Sequence, residues 1–276
     1  MSRREWGFGV ARTDAAGAGP SVLSELCSFM TEVTGERFAP VFVANYRELA
    51  RGLEAGTIGV AWMPPIPAID IEEKGSGTVI ALPARKSGIT YYAAFIVHRG
   101  GPRTLLECEG KRVAWVDAES ASGYVIPRLH LASQGFDVQT FFGQETFAGS
   151  HSAVVEAVST GRVDVGATFC NIDPASKRVL NAAWTETDGR SLRPVEMITH
   201  TGAIPNDAII AATKLPLPVR SSLTRWLLQL GAREKDLFQK LLRAAEFRVV
   251  QPAHFHPLKH MIRAARSRGY SIPPSR

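Results

Sequence analysis

Short strand patterns and amphipathic helical patterns follow one another along almost the whole chain. That alternation points to parallel α/β sheets. Trp6, Phe8 and Val10 alternate with polar or small residues and predict a first strand. Pro20 and Ser21 open a helix with Val22, Leu23, Leu26, Cys27, Met30 and Val33 at its apolar positions, and Gly35 closes it. Strands follow at 38–43, 58–62, 79–82 and 91–98, with a helix over 46–55 stopped by Gly56 and a short helix carrying Ile69. After the loop RGGP at 99–102 the pattern restarts with strand 112–116, helix 125–134, strand 140–142, helix 152–159, strand 163–168 and helix 174–180. Strands at 195–199 and 208–212 precede helical stretches near 218–230, 235–244 and 255–268. Two α/β runs separated by the strand region 91–98 imply two lobes. The expected division is 1–93 plus 206–276 for lobe 1, with the C-terminal helices returning to it, and 94–205 for lobe 2.

A chain of 276 residues is long enough to give two lobes real cores. Apolar residues make up 45% and charged residues 21%, the balance of a globular chain, and no apolar run approaches the ~18–20 residues of a membrane span. The net charge is +6, and much of the excess sits late, in Arg243, Arg248, Lys259, Arg263, Arg266 and Arg268. This reads as a solvated helix face. Nucleic-acid binding would call for a recognisable module or a basic stripe with stacking aromatics, and neither is present. A mild positive field also suits a small anionic ligand. The cysteines, Cys27, Cys108 and Cys170, have no CxxC spacing, so no disulfide framework, metal site or cofactor is expected. The start MSRREWGFGVA has charge but neither an apolar segment nor a cleavage site. It is not a signal peptide. A periplasmic or membrane-associated location therefore implies that an export signal has been removed, and the alternative is the cytoplasm.

Two segments carry chemistry. VDAESASGY, residues 116–124, leaves a strand through a small polar turn and enters a helix. Such a turn points unpaired backbone N–H groups outward, as an anion site requires. Ser120 and Ser122 can donate hydroxyl bonds, Ala121 adds no bulk, and Gly123 permits close approach. The competing explanation is an ordinary helix cap with Ser122 bonding the first turn. A second small polar turn, Gly149–Ser150–His151 in FAGSHSAVVEAV, opens another helix of the same run. Both helix starts lie at strand C-terminal ends, the edge where open α/β sheets bind ligands. The imidazole of His151 can donate to an anion oxygen.

Taken with IPNDAII at 204–210 and NYRELARGLEAGTIGVAWM at 45–63, the segments AWVDAESASGYVIP and FAGSHSAVVEAVSTGRVDVGA strongly resemble the phosphate/phosphite/phosphonate-binding proteins of ABC transporters. The resemblance runs over roughly residues 5 to 250. It implies an α/β chain with the two-lobed type 2 periplasmic-binding-protein fold, whose ligand lies in a cleft between the lobes. It also implies that Ser120, Ala121 and Ser122 hold the phosphoryl or phosphonyl oxygens, Ala121 through its backbone, and that Ser150 and His151 hold further oxygens. Tyr46 would reach in from the first lobe, Tyr91 would line the cleft, and Asp207 would accept from a protonated oxygen or bind a ligand amine. Asp207 can equally be the cap of a strand-entry turn.

Asn171 stands where some aminoalkylphosphonate binders carry a carboxylate for the ligand ammonium. An amide is a weaker partner for a cation, although Asp173 lies two residues away. Trp62, Met63 and Pro64 suggest a more apolar wall, so Trp62, Met63 and Asn171 are candidates for ligand specificity.

The resemblance implies a non-enzymatic, monomeric solute-binding protein for a phosphonate, phosphate or phosphite, partnered by an ABC permease. A ligand-sensing module of the same fold is the alternative. Ser122, His151 and Asp207 have the residue types of a hydrolase triad, but no G-x-S-x-G turn is present.

Overall fold

The computed structural model describes residues 4–11, 20–85, 88–118, 120–173, 175–185, 194–244 and 246–271. The chain runs β1 (Glu5–Ala11), α1 (Pro20–Thr34), β2 (Arg37–Val43), α2 (Tyr46–Ala55), β3 (Ile58–Met63), α3 (Pro65–Glu73) and β4 (Gly77–Ala84). It continues through β5 (Thr90–His98), β6 (Arg112–Trp115), α4 (Ile126–Gln134), β7 (Gln144–Phe147), α5 (His151–Ser159), β8 (Val165–Ile172), β9 (Val179–Ala182), β10 (Val195–His200) and β11 (Ile204–Pro205). It ends with β12 (Ala208–Ala212), α6 (Leu217–Leu228), α7 (Ala232–Leu242), β13 (Glu246–Arg248) and α8 (His256–Ser267). These elements form two compact units, one from residues through Ile89 together with Pro205–Pro252, the other from Thr90–Ile204 and the segment that begins at Ala253.

The first unit is a six-stranded sheet in the order β13-β4-β12-β3-β1-β2. β1 runs parallel to both β2 and β3, while β12 runs antiparallel to β3 and β4. β1 was expected to alternate, yet it is buried from Trp6 through Ala11, because helices cover both faces of a parallel sheet. Gly9 is what lets α2 close on that sheet. A Cβ there would sit 2.6 Å from Leu49 Cδ2 and 2.9 Å from Ile58 Cδ1. α2 itself is entered through a capping box. The Asn45 side chain accepts the Glu48 N–H, and Glu48 accepts the Ala44 N–H in return. Gly56 closes the helix in the left-handed region at φ +77°.

The second unit is built on β10-β5-β8-β6-β7, with β9 added on β8 and β11 on β5. β6 runs parallel to β7 and β8, so the two helix starts that follow β6 and β7 lie at one edge of the sheet.

Several expectations need correction. The stretch 174–180 was expected to be a helix. Residues 179–182 are instead a strand pairing antiparallel with β8. Asp173 decides this, because its carboxylate accepts the N–H groups of Ala175 and Ser176 and turns the chain into a hairpin. The stretch 140–142 is a turn rather than a strand. The Asp137 side chain takes the Gln139 N–H and the Thr140 hydroxyl, and the strand forms later as β7. The C-terminal region, read from the sequence as helical, also contributes β13, which pairs with β4 in the first unit's sheet. The last helix, α8, was assigned to lobe 1 and belongs with the second unit, where it packs against α4 through the stripe Leu258, Met261, Ile262 and Ala265.

Among the described residues no helix is long and apolar enough to cross a membrane. All three cysteines are buried and unbridged, and burial pushes each thiol up to about 12. Thiolate is the reactive form, so Ellman's reagent at pH 8 should find no reactive thiol in the folded protein and all of them after denaturation. Rapid reaction of the native protein would contradict this packing.

Candidate functional site

Val116 follows β6 and is where the two small polar turns meet. Its N–H donates to the Gly123 carbonyl at 3.1 Å, and its carbonyl accepts the Gly149 N–H at 2.8 Å. One residue of backbone thus ties the start of the Ser120–Tyr124 turn to the start of α5.

The first turn is π-helical over Ala121–Val125 and runs directly into α4. Tyr124 and Val125 both donate to the Ser120 carbonyl at 3.0 Å, and Ile126 donates to Ala121. Ser120 is the cap, accepting the Gly123 N–H on its hydroxyl oxygen at 3.2 Å. Helix geometry gives the opening N–H groups, those of Ala121 and Ser122, no partner within the turn. Ser122 is only 6% exposed. Capping falls to Ser120 rather than to Ser122. Gly123 is required by packing. A Cβ at this position would lie 2.3 Å from Val116 Cγ2.

The second start is capped by Ser150, whose hydroxyl oxygen accepts the Ala153 N–H at 3.2 Å and lies 3.1 Å from the Ser152 hydroxyl. His151 opens α5. Its Nδ1 is 2.8 Å from the hydroxyl of Thr168, a fully buried residue of β8, and its ring stands edge-on to Phe169. Burial lowers the His151 pKa below its ordinary value, with Asp117 acting in the opposite sense. The imidazole is accordingly neutral at pH 7. Thr168 was not anticipated. The signal was present in VDVGATF, where one threonine interrupts an apolar strand.

Ser120, Ala121, Ser122, Ser150 and His151 are thus brought together within the second unit. Tyr91 is half-buried at the start of β5, and Asn171 lies on β8 in the same unit. Asn171 is 7% exposed, gives its amide N–H to Asn181, and leaves its Oδ1 without a partner. Asp173 serves as the hairpin cap, and the Ser176 hydrogen bonds lower its pKa. Its carboxylate is therefore not an idle substitute for the one missing at 171.

Tyr46, Trp62, Met63 and Asp207 belong to the first unit. Tyr46 is half-buried in the first turn of α2. Trp62 packs in that unit's core, and Met63 has no exposed surface. In IPND the turn is tied by Asn206, which is 2% exposed and donates to the carbonyls of Pro83 and Gly88. Asp207 is left to pair with Arg85 at 3.5 Å, with a quarter of its side chain exposed. Burial raises the Asp207 pKa and Arg85 partly opposes that rise. Arg85 too was missed, since nothing in the spacing of residues 85 and 207 announces their contact.

Residues 9–255 match the family of ABC transporter, phosphonate, periplasmic substrate-binding proteins, and the chain belongs to that family. A curated relative, the phosphate-import protein PhnD of Mycolicibacterium smegmatis, is 24% identical over 156 residues. The match takes in 52% of this chain and 48% of that protein, so the chain is aligned with about half of its relative's length. Among solved structures, XAC2383 from Xanthomonas citri bound to chloride ion superposes with a TM-score of 0.71 at 20% identity over 96% of this chain and 98% of the other. PhnD1 from Prochlorococcus marinus in complex with methylphosphonate gives 0.60 at 16% identity, over 95% and 98%. The fold is that of the type 2 periplasmic binding proteins, and the family is one of transporter binding proteins rather than enzymes.

Gly123→Ala should lower stability by about 1–3 kcal/mol, the usual cost of overpacking a filled site. Urea denaturation measures it, and an unchanged midpoint would show that Val116 does not press on this turn.

Proposed function

We propose that the chain is the solute-binding protein of an ABC-type importer and captures a phosphorus oxyanion. The observation that supports this most is the pairing of two small polar helix starts through Val116, with the nearly buried Ser122 at the first of them. One helix start contributes only about 0.3–1 kcal/mol toward an exposed anion. A buried anion must be hydrogen-bonded throughout to offset its desolvation. Two starts, the serine hydroxyls and an imidazole supply donors on several sides of a tetrahedral group without a counter-charge.

In this reading the N–H groups of Ala121 and Ser122 and the Ser122 hydroxyl take one set of oxygens, and the Ser150–His151 start takes another. His151 Nδ1 accepts the Thr168 hydroxyl, which leaves Nε2–H to donate. The Nδ1 of this imidazole faces the Thr168 hydroxyl, an arrangement that supports simple donation from the other nitrogen. Tyr91 lines the same unit's ligand site. Tyr46 and Asp207 are further ligand residues on the strength of the family resemblance.

The ligand is a plain oxyanion or a simple alkylphosphonate rather than an aminoalkylphosphonate. Asn171 offers an amide held by Asn181 where a carboxylate would serve an ammonium, and Asp173 is engaged in its turn. The partner this reading implies is an ABC permease.

Thermal unfolding in the presence of phosphate, phosphite, methylphosphonate and 2-aminoethylphosphonate tests the proposal. A ligand at one hundred times its Kd adds about 2.7 kcal/mol of stability. A shift is expected with at least one of the first three, and a smaller one with 2-aminoethylphosphonate. No shift with any at millimolar concentration would sink it. Ser122→Ala should leave the fold intact, since Ser120 and not Ser122 caps the turn. It should weaken ligand binding roughly ten- to hundredfold, as expected for one hydrogen bond to a charged group. Undiminished affinity would place the anion elsewhere.

A further inference from the structure

Beside the Ser120–Tyr124 turn lies an ion pair, its arginine buried, that none of the proposed ligand contacts uses. Arg128, on α4, is 5% exposed. Its Nη1 donates to both carboxylate oxygens of Glu145, at 2.8 and 2.7 Å. The same carboxylate accepts the indole N–H of Trp115 at 2.7 Å. Glu145 sits on β7, an edge strand of exposed residues, and its side chain is 27% exposed where it meets the buried guanidinium.

The pair converges on Tyr124, the last residue of the small polar turn. Its ring has the Arg128 guanidinium 5.3 Å from the centroid, Trp115 edge-on at 5.6 Å and Phe147 edge-on at 5.1 Å. Tyr124 and Arg128 stand four residues apart, on one face of the continuous π-to-α segment. A π-helical turn is a rare and locally unfavourable form that persists only with outside support. Here the aromatic and cationic cage around Tyr124 supplies that support, and Val116 holds the turn from the other side. Removing the Glu145 charge leaves the buried Arg128 guanidinium uncompensated, so the cage depends on both members.

We infer that Arg128, locked by Glu145, is a positioning residue for the oxyanion turn: it holds Tyr124, and through it the π-turn that aims the Ala121 and Ser122 N–H groups. The affinity consequence rests on the oxyanion reading of the site, while the conformational consequence does not. Arg128 touches no ligand and acts through the turn.

The experiment compares the full chain with Arg128→Met, Arg128→Lys and Glu145→Gln. Arg112→Met, which breaks the Arg112–Asp164 pair at the opposite end of β6, is the control for an ion pair lost in the same unit. Each protein is titrated with methylphosphonate and inorganic phosphate well below its own unfolding midpoint, and amide hydrogen exchange at residues 121–126 is followed without ligand. Arg128→Met and Glu145→Gln should each lose about tenfold or more in affinity, with exchange at 121–126 faster by a similar factor. Arg128→Lys should stay within about threefold of the parent, because a single nitrogen makes both bonds to Glu145. Arg112→Met should keep full affinity. A folded Arg128→Met with parental affinity and parental exchange overturns the inference, as does an equal loss in Arg112→Met. Should the parent bind neither ligand, exchange alone decides: acceleration at 121–126 supports the positioning role, and none refutes it. If Arg128→Met does not fold, the nearly isosteric Glu145→Gln carries both measurements.

Discussion

Everything proposed for this chain depends on the two hydrogen bonds of the Val116 backbone. One secures the turn that enters α4 and the other secures the turn that enters α5. A strand ending anywhere else would leave two helix starts separated by the width of side chains. With Val116 between them, two sets of unpaired N–H groups share one location. The packing around that residue is correspondingly unforgiving, since Gly123 leaves no room for even a methyl group.

The donors gathered there are neutral. Burial keeps His151 uncharged, and the serines and backbone amides carry no net charge. Neutral donors suit a site that must release its ligand, because an empty site then holds no buried, uncompensated cation. Arg128, whose guanidinium lies 5.3 Å from the Tyr124 ring, is already neutralised by Glu145. It contributes order rather than attraction. The chain's excess of positive charge lies largely in its last third, where it acts at most as a diffuse field.

Much of this was legible in the sequence because it is local. The alternation of elements, the caps and the stops need only residues a few positions apart, and the SASGY and GSH turns were read from the same kind of signal. The family resemblance added an order to those turns, and the fold followed from it. What was not legible depends on distance or on competition between near-equal local choices. Asp173 and Asp137 each convert an expected element into a turn through two side-chain bonds. The apolar stripe of α8 announced that the helix would be buried without saying against what, and α4 proved to be the answer. Thr168, seventeen residues from His151, and Arg85, far from Asp207, acquire meaning only once the strands are in register. Trp62 and Met63 sit in a strand buried along its length, so their apolar character serves the core.

The most direct test of the central claim is an amide chemical-shift titration with methylphosphonate on the isotopically labelled protein. The account predicts that the N–H resonances of Ala121 and Ser122 and those of His151 and Ser152 move together and saturate with one affinity. Saturable binding that leaves both helix starts unmoved, or that moves one and not the other, would contradict it.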